Sequence, residues 1–279
     1  MVFRREPRIE YKTPEQVMLM RAAGLVVADA LAAVRAAVAP GVTTGELDAI
    51  AEDRIRSAGA IPSFIGVPSF TGPPFPASIC ASVNDEVVHG IPGGRVLQEG
   101  DVISVDCGAI LDGWHGDAAI TVPVGRIDPE LATLLEVCEE ALWRGFAAAR
   151  LGGRLGDISA AIESHVRGQG SYGIVEEYTG HGIGTAMHQP PHVPNYGRAG
   201  HGERLREGLV LAVEPMVTLG SRHVHELDDG WTVVTDDGKP AAHFEHTFTV
   251  TPDGPWVLTA PDGGRERLAG LGVAVPARA

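Results

Sequence analysis

Nothing in this sequence supplies a thiolate metal site or a disulfide framework: its three cysteines, Cys80, Cys107 and Cys138, are odd in number and form no CxxC pair. They read as small core residues. No run approaches the ~20 apolar residues needed to cross a bilayer, so no membrane partner is expected. The opening residues, Met1-Val-Phe-Arg-Arg-Glu-Pro-Arg8, lack the apolar stretch of a signal peptide, which makes the cytoplasm the expected compartment. Positive charge is also short. Against 36 Asp and Glu stand 22 Lys and Arg, a formal net charge of -14, whereas a phosphate backbone needs a positive field. Nucleic acid, DNA included, is therefore not expected as the main ligand, and part of the negative charge is expected to serve as metal ligands.

With 279 residues, 44% of them hydrophobic, the chain can bury a sizeable core in one large domain or two small ones. Thr13-Pro-Glu-Gln16 predicts a helix start, with Thr13 as N-cap, Pro14 in the first turn and Gln16 completing a capping box; the apolar run behind it stops at Pro40-Gly41. Asp128-Pro129 opens a second long helix that is expected to reach about Leu151-Gly-Gly153. A shorter helix follows each, and the two match at an offset of 111 residues, Gly45-Glu-Leu-Asp-Ala-Ile-Ala-Glu52 over Gly156-Asp-Ile-Ser-Ala-Ala-Ile-Glu163. One such repeat is not a solenoid. It predicts two related halves, each of two helices followed by strands.

Strands are expected at Asp101–Asp106, Gly208–Val213, Trp231–Val234 and Phe244–Val250, with hairpin turns at Asp112-Gly113 and Asp237-Gly238. The class is α+β with a mainly antiparallel sheet. Residues 1–12 read as a short N-terminal extension, 13–259 as one domain, and 260–279, rich in Pro, Gly, Arg and Ala, as a loose tail.

Two histidines, His181 and His188, stand in the glycine-rich stretch Gly180-His-Gly-Ile-Gly-Thr-Ala-Met-His188 with no acid beside them. The acids come from elsewhere. A two-residue turn at Asp112-Gly113 sets Gly108 opposite Asp117 and places Asp106 on the same sheet face, where two carboxylates repel unless a proton or cation lies between them. Glu214 follows the apolar strand Leu209–Val213 and Glu245 interrupts His243-Phe-Glu-His-Thr-Phe248, although charged residues on such strands are rarely buried without a partner. Four carboxylates and one imidazole suit manganese, iron, cobalt or zinc. Four negative charges would offset two such ions, and a pair of metals ~3.5–4 Å apart can deprotonate a shared water, which points to hydrolysis.

These residues resemble the type I methionine aminopeptidases, of the pita-bread (creatinase/aminopeptidase-like) fold, from about Thr13 to about Thr259. The stretches that carry the likeness are Asn84-Asp-Glu-Val-Val-His-Gly-Ile-Pro92, Val105-Asp-Cys-Gly108 with Asp112-Gly-Trp-His-Gly-Asp117, Gly180-His-Gly-Ile-Gly184, Val213-Glu-Pro-Met216 and Phe244-Glu-His-Thr247. The resemblance implies two pseudo-symmetric halves around a dinuclear site whose ligands are Asp106, Asp117, His181, Glu214 and Glu245, with Asp117 and Glu245 bridging the ions. It implies that His89 contacts substrate near the scissile nitrogen and that His188 holds the scissile carbonyl and stabilises the tetrahedral intermediate. Glu214 would shuttle a proton toward the leaving amine as a metal-bridging hydroxide attacks the bond after an N-terminal methionine. Implied substrates are nascent peptide N-termini with small second residues, met by a monomer through a transient ribosome contact for which Arg4, Arg5 and Arg8 are candidates.

Trp231 matches a wall of the family's side-chain pocket. Two departures bear on that pocket. Met187 stands where the family usually carries phenylalanine, and the long segment Gly66-Val-Pro-Ser-Phe-Thr-Gly-Pro-Pro-Phe75 replaces a short Gly-Tyr-His-Gly type loop, with Phe75 as the substitute for a pocket aromatic. Competing readings are a proline-directed aminopeptidase or dipeptidase of the same fold, which typically carries a large extra N-terminal domain, and a binding module that has lost catalysis. A nucleotide loop at Gly180-His-Gly-Ile-Gly184 is disfavoured, because the third glycine of GxGxxG is missing and no helix pattern follows.

Overall fold

The structure, a computed structural model, describes residues 9–69 and 71–275. Arg4, Arg5 and Arg8, and any ribosome contact through them, lie outside the described residues. Helix α1 (Pro14–Ala37) starts as expected: the Thr13 hydroxyl accepts the Gln16 N–H while the Gln16 carboxamide accepts the Thr13 N–H. Helix α2 (Thr44–Ser57) carries the same reciprocal cap between Thr43 and Glu46. In the second half, Asp128 caps α3 (Pro129–Ala148), and α4 (Leu155–Gln169) begins where Asp157 accepts the Arg154 N–H. Helix α3 stops short of Leu151 because Gly152, at a φ of +84°, turns the chain to donate to the Leu205 carbonyl.

The duplicated order of elements is matched by duplicated contacts. Gly41 donates to Leu97 O and Leu97 donates back to Val42 O, each at 2.8 Å. At the equivalent place Gly152 donates to Leu205 O and Leu205 to Gly153 O, at 2.8 and 2.9 Å. Gly45 and Gly156, at the starts of α2 and α4, likewise donate to Gly93 O and His201 O. Each half has its own core. Val27, Leu31, Leu47 and Ile55 of α1 and α2 pack on Ile79, Val105 and Cys107, while Leu134, Leu142, Phe146 and Ile158 of α3 and α4 pack on Leu211, Val213 and Phe248.

Both helix pairs pack on one face of a single nine-stranded antiparallel sheet. Strand Val102–Leu111 pairs along its whole length with Trp114–Pro123, and Gly108 faces Asp117 as the turn predicts. Trp114–Pro123 continues to Glu245–Thr251, then to Val210–Val213, Gly180–Gly182 and Gln189–Val193. Helix α1 crosses the sheet at glycines: a Cβ on Gly116 would stand 2.7 Å from the Gly24 nitrogen, and one on Gly24 would stand 2.5 Å from the Leu258 carbonyl oxygen. Both obstacles are backbone. Gly24→Ala should therefore lower stability by about 1–3 kcal/mol through overpacking, read as a lower urea midpoint at unchanged slope; an unshifted midpoint would show that the helix can lift off freely.

Four expectations change. By length and composition α1 is long and apolar enough to cross a membrane, contrary to the reading of the apolar runs, yet half of its most apolar stretch is buried inside this fold. Residues 260–275 are not a loose tail. Helix α5 (Arg265–Gly270) buries Leu268, and the buried Arg21 guanidinium donates to the carbonyls of Val257, Leu258, Ala260 and Pro261. Asp237-Gly238 is a turn but not a hairpin, since Val233–Thr235 pairs with Val224–Glu226 and Glu86–Val88 while Ala241–His243 pairs with Met216–Thr218. Finally, residues 9–12 are built into the fold: Tyr11 bridges to Leu209, and Lys12 is 6% exposed.

Candidate metal centre and substrate pocket

Register alone collects the acids. Asp106 pairs with Ala119 and Ala119 with Glu245, so the two carboxylates leave one sheet face in a single row, separated by a methyl group. His246 pairs with Val213, which sets Glu214 next in that direction at the strand's end. In the adjoining row His181 pairs with Ala212 and Ala212 with Thr247, whose hydroxyl donates to the Asp117 carbonyl and accepts the Asp117 N–H. Gly108, Ala119 and Ala212 supply little or no side chain, which leaves the face open between the polar groups. The alternate residues, among them Val105, Cys107 and Val213, point into the helical cores.

The cluster is tight and short of hydrogen-bond partners. Ligand atoms of Asp117, His181 and Glu245 lie within 4.8 Å of one another. His181 Nε2 is 3.5 Å from Glu214 Oε1 and 3.8 Å from Asp117 Oδ2. Asp106 Oδ1, Asp117 Oδ1 and Glu245 Oε1 are buried with nothing to accept from. Among the described residues no Lys or Arg forms an ion pair with any of the four acids. Burial pushes Asp106 up to about 7, and it lifts Asp117, Glu214 and Glu245 well above the carboxylate range, assisted by their neighbours' charges. Such groups either hold protons or hold cations.

His181 is prepared for the second option. Its Nδ1 lies 3.0 Å from the Gly182 carbonyl oxygen, which can only accept, so Nδ1 carries the hydrogen and Nε2 turns its lone pair toward the acids. Burial and the neighbouring His188 bring its pKa down to about 3, keeping the ring neutral. The surrounding glycines are fixed in place. Gly180–Gly182 is a strand, and a Cβ on Gly180 or Gly182 would collide with the carbonyl of Ala212 or Pro190. The residues present thus fit a divalent cation: oxygen-rich, with one oriented imidazole and orphaned buried carboxylate oxygens.

The centre opens into a partly open pocket that also takes in His89 and His188. Phe64, Val67, Phe75, Cys80, Met187 and Trp231 line its apolar part. Phe75 meets Trp231 edge-on with centroids 5.0 Å apart, and the Trp231 indole N–H is held by the Pro73 carbonyl at 2.8 Å. His89 and His188 flank the acids. The His89 ring stands 6.2 Å from that of Trp231, on a backbone with φ at +61°, a left-handed conformation that costs a non-glycine residue about 1–3 kcal/mol and fixes its direction. His188, exposed at the mouth, has its ring 4.5 Å from that of His181.

All ten residues singled out in the sequence therefore lie at this one site. Sequence reasoning missed others. Phe64 and Val67 sit on a segment with no periodic signal, and Cys80 is a pocket wall as well as a buried residue. Asn195, whose amide donates to the Glu214 carbonyl at 3.0 Å, fixes that strand end from a loop. His243, buried with its Nε2 unpartnered 3.9 Å from Glu214 and 4.0 Å from Glu245, is held near a pKa of 3 by burial. It stands in the same short motif as Glu245, the one signal that could have found it.

A one-faced array of carboxylates and an imidazole, set between two pseudo-symmetric helix–strand halves, defines a pita-bread metallopeptidase. The chain belongs to metallopeptidase family M24, which it matches over residues 18–252. It is 51% identical over 248 residues to methionine aminopeptidase 1 of Bacillus subtilis, covering 89% of this chain and 98% of that protein. Identity to methionine aminopeptidase 1 of Mycobacterium tuberculosis is 54% over 246 residues, 86% of this chain and 91% of that one. The crystal structure of methionine aminopeptidase from Rickettsia prowazekii superposes with a TM-score of 0.86 at 40% identity, covering 91% of this chain and all, 100%, of that chain.

Proposed function

We propose that this chain is a metal-dependent aminopeptidase of type I that removes the N-terminal methionine from peptides. The observation that carries the reading is the set of orphaned buried carboxylate oxygens around the free His181 Nε2, beside a pocket with one apolar wall. Asp106, Asp117, His181, Glu214 and Glu245 would hold two divalent ions of manganese, iron, cobalt or zinc, four acids offsetting the charge of two cations. When bound, such ions supply Lewis acidity: they polarise a carbonyl and lower the pKa of water.

The protein's own groups do the rest. Phe64, Phe75, Trp231 and the sulfur-bearing Met187 and Cys80 receive a methionine side chain, for which aromatic and thioether surfaces are well suited. The free amino end would sit at the acids, which makes the reaction that of an exopeptidase. His89 holds the substrate near the scissile nitrogen. His188 donates to the scissile carbonyl oxygen as negative charge develops there. Glu214, set between His181 and His243, accepts a proton on the side of attack and delivers it to the leaving amine. Small second residues are favoured, and the substrates are nascent chains in the cytoplasm, met by a monomer.

The test is a peptide panel on metal-stripped protein with each divalent ion restored in turn. Met-Ala-Ser should be cleaved with at least one ion, and an Ala-Pro peptide with none. Failure of every ion to release methionine overturns the proposal; preference for the Ala-Pro peptide selects the proline-directed reading instead.

A further inference from the structure

The loop that carries Met187 and His188 is gripped from outside by the segment preceding α1. Lys12 N–H donates to the Gly208 carbonyl at 2.7 Å, which anchors this segment beside strand Val210–Val213. From there the Lys12 side chain, 1% exposed, runs inward. Its ammonium donates to the Glu10 carbonyl at 3.0 Å and the Gln189 side-chain oxygen at 3.3 Å, and it lies 3.5 Å from the Glu10 carboxylate. That carboxylate in turn accepts from the Thr185 N–H at 3.2 Å, the Thr185 hydroxyl at 3.0 Å and the Gln189 amide at 2.7 Å. Both ends of the stretch 185–189 are thus held by two side chains of one strap. Gly184 makes room for it, since a Cβ there would strike Glu10 and Lys12.

We infer that Glu10, Lys12 and Gln189 are positioning residues for His188: they hold the 185–189 loop so that the imidazole stands over the acids before substrate arrives. The inference rests on the aminopeptidase reading. Two facts argue against mere surface packing. An exposed ion pair would contribute little, but a buried ammonium without its carboxylate is costly, so the three groups are mutually dependent. Gln189 is also covalently next to His188, which itself stands exposed at the mouth, so the grip on Gln189 and Thr185 adds to the strand pairing at Gly182 in setting where the ring lies. Misplacing a catalytic group by an ångström costs up to about 100-fold in rate.

The charges allow a swap test. Glu10→Gln leaves Lys12 without a carboxylate, and Gln189→Glu sets two carboxylates against each other; the double variant exchanges acid and amide and keeps one of each beside the ammonium. With metal restored and Met-Ala-Ser as substrate, each single change should lower kcat about tenfold with KM and Mn²⁺ affinity nearly unchanged. The double variant should return to within about threefold of the parent. Hydrogen exchange at the amides of 185–189 should quicken in the singles and slow again in the double, a readout independent of turnover. Unaltered exchange in the singles, or a double variant as impaired as the worse single, overturns the clamp. Absence of methionine release by the parent overturns the aminopeptidase reading instead, and exchange then decides the clamp alone.

Discussion

His188→Ala should lower kcat for Met-Ala-Ser by about 10²–10³-fold, the usual loss of one donor to a developing oxyanion, while metal affinity stays within about twofold of the parent. His181→Ala should lose both. The contrast follows from where the two rings point. His181 Nε2 faces Glu214 and Asp117 at 3.5 and 3.8 Å with its other nitrogen occupied by Gly182. His188 lies at the mouth of the pocket and shares no ion pair with the acids among the described residues. Steady-state kinetics and chelator competition on both variants measure the two effects separately. Equal metal affinity in the two would remove the division of labour between them.

A second large effect is expected from pH. In the metal-free protein Asp106 titrates at about 7 and its three acidic neighbours well above the carboxylate range, so near neutrality these groups carry protons that a cation must displace. Raising the pH removes those protons beforehand, and affinity must therefore increase with pH. Below pH ~7 it should fall about tenfold per unit for each proton displaced. His181, already neutral down to about 3, adds no step near 6.5. Mn²⁺ competition between pH 5.5 and 8, with proton release measured by calorimetry in buffers of different ionisation enthalpy, checks the sign and the count. A single break at 6.5 would show that imidazole rather than carboxylate controls binding, and a flat profile that no proton is displaced at all.

The elements that could be read from the sequence are those whose signals are local. Thr13 and Gln16 meet within one helical turn, Asp112-Gly113 forces Gly108 opposite Asp117, and the helix starts at Gly45 and Gly156 repeat in the same order. An acid on an apolar strand is a local contradiction, and Glu214 and Glu245 were visible for that reason. The hidden parts are those in which the deciding contact lies far along the chain. Nothing near residue 265 announces α5, whose six residues exist because Leu268 finds a core and Arg21 finds four carbonyls. Nothing near Glu10 announces Gln189. Phe64 entered the pocket unannounced because a loop side chain has no period to betray its direction.

The sequence by itself determined the candidates for the centre, four carboxylates and one imidazole, and the hairpin that brings two of them together, because turn chemistry and strand alternation act over a few residues. Only the tertiary structure decided that Glu245 pairs across Ala119 to Asp106, and that a strap from residue 10 holds the loop of residue 188. Pairing between distant strands and burial of single side chains depend on the whole fold closing, and no local rule encodes them.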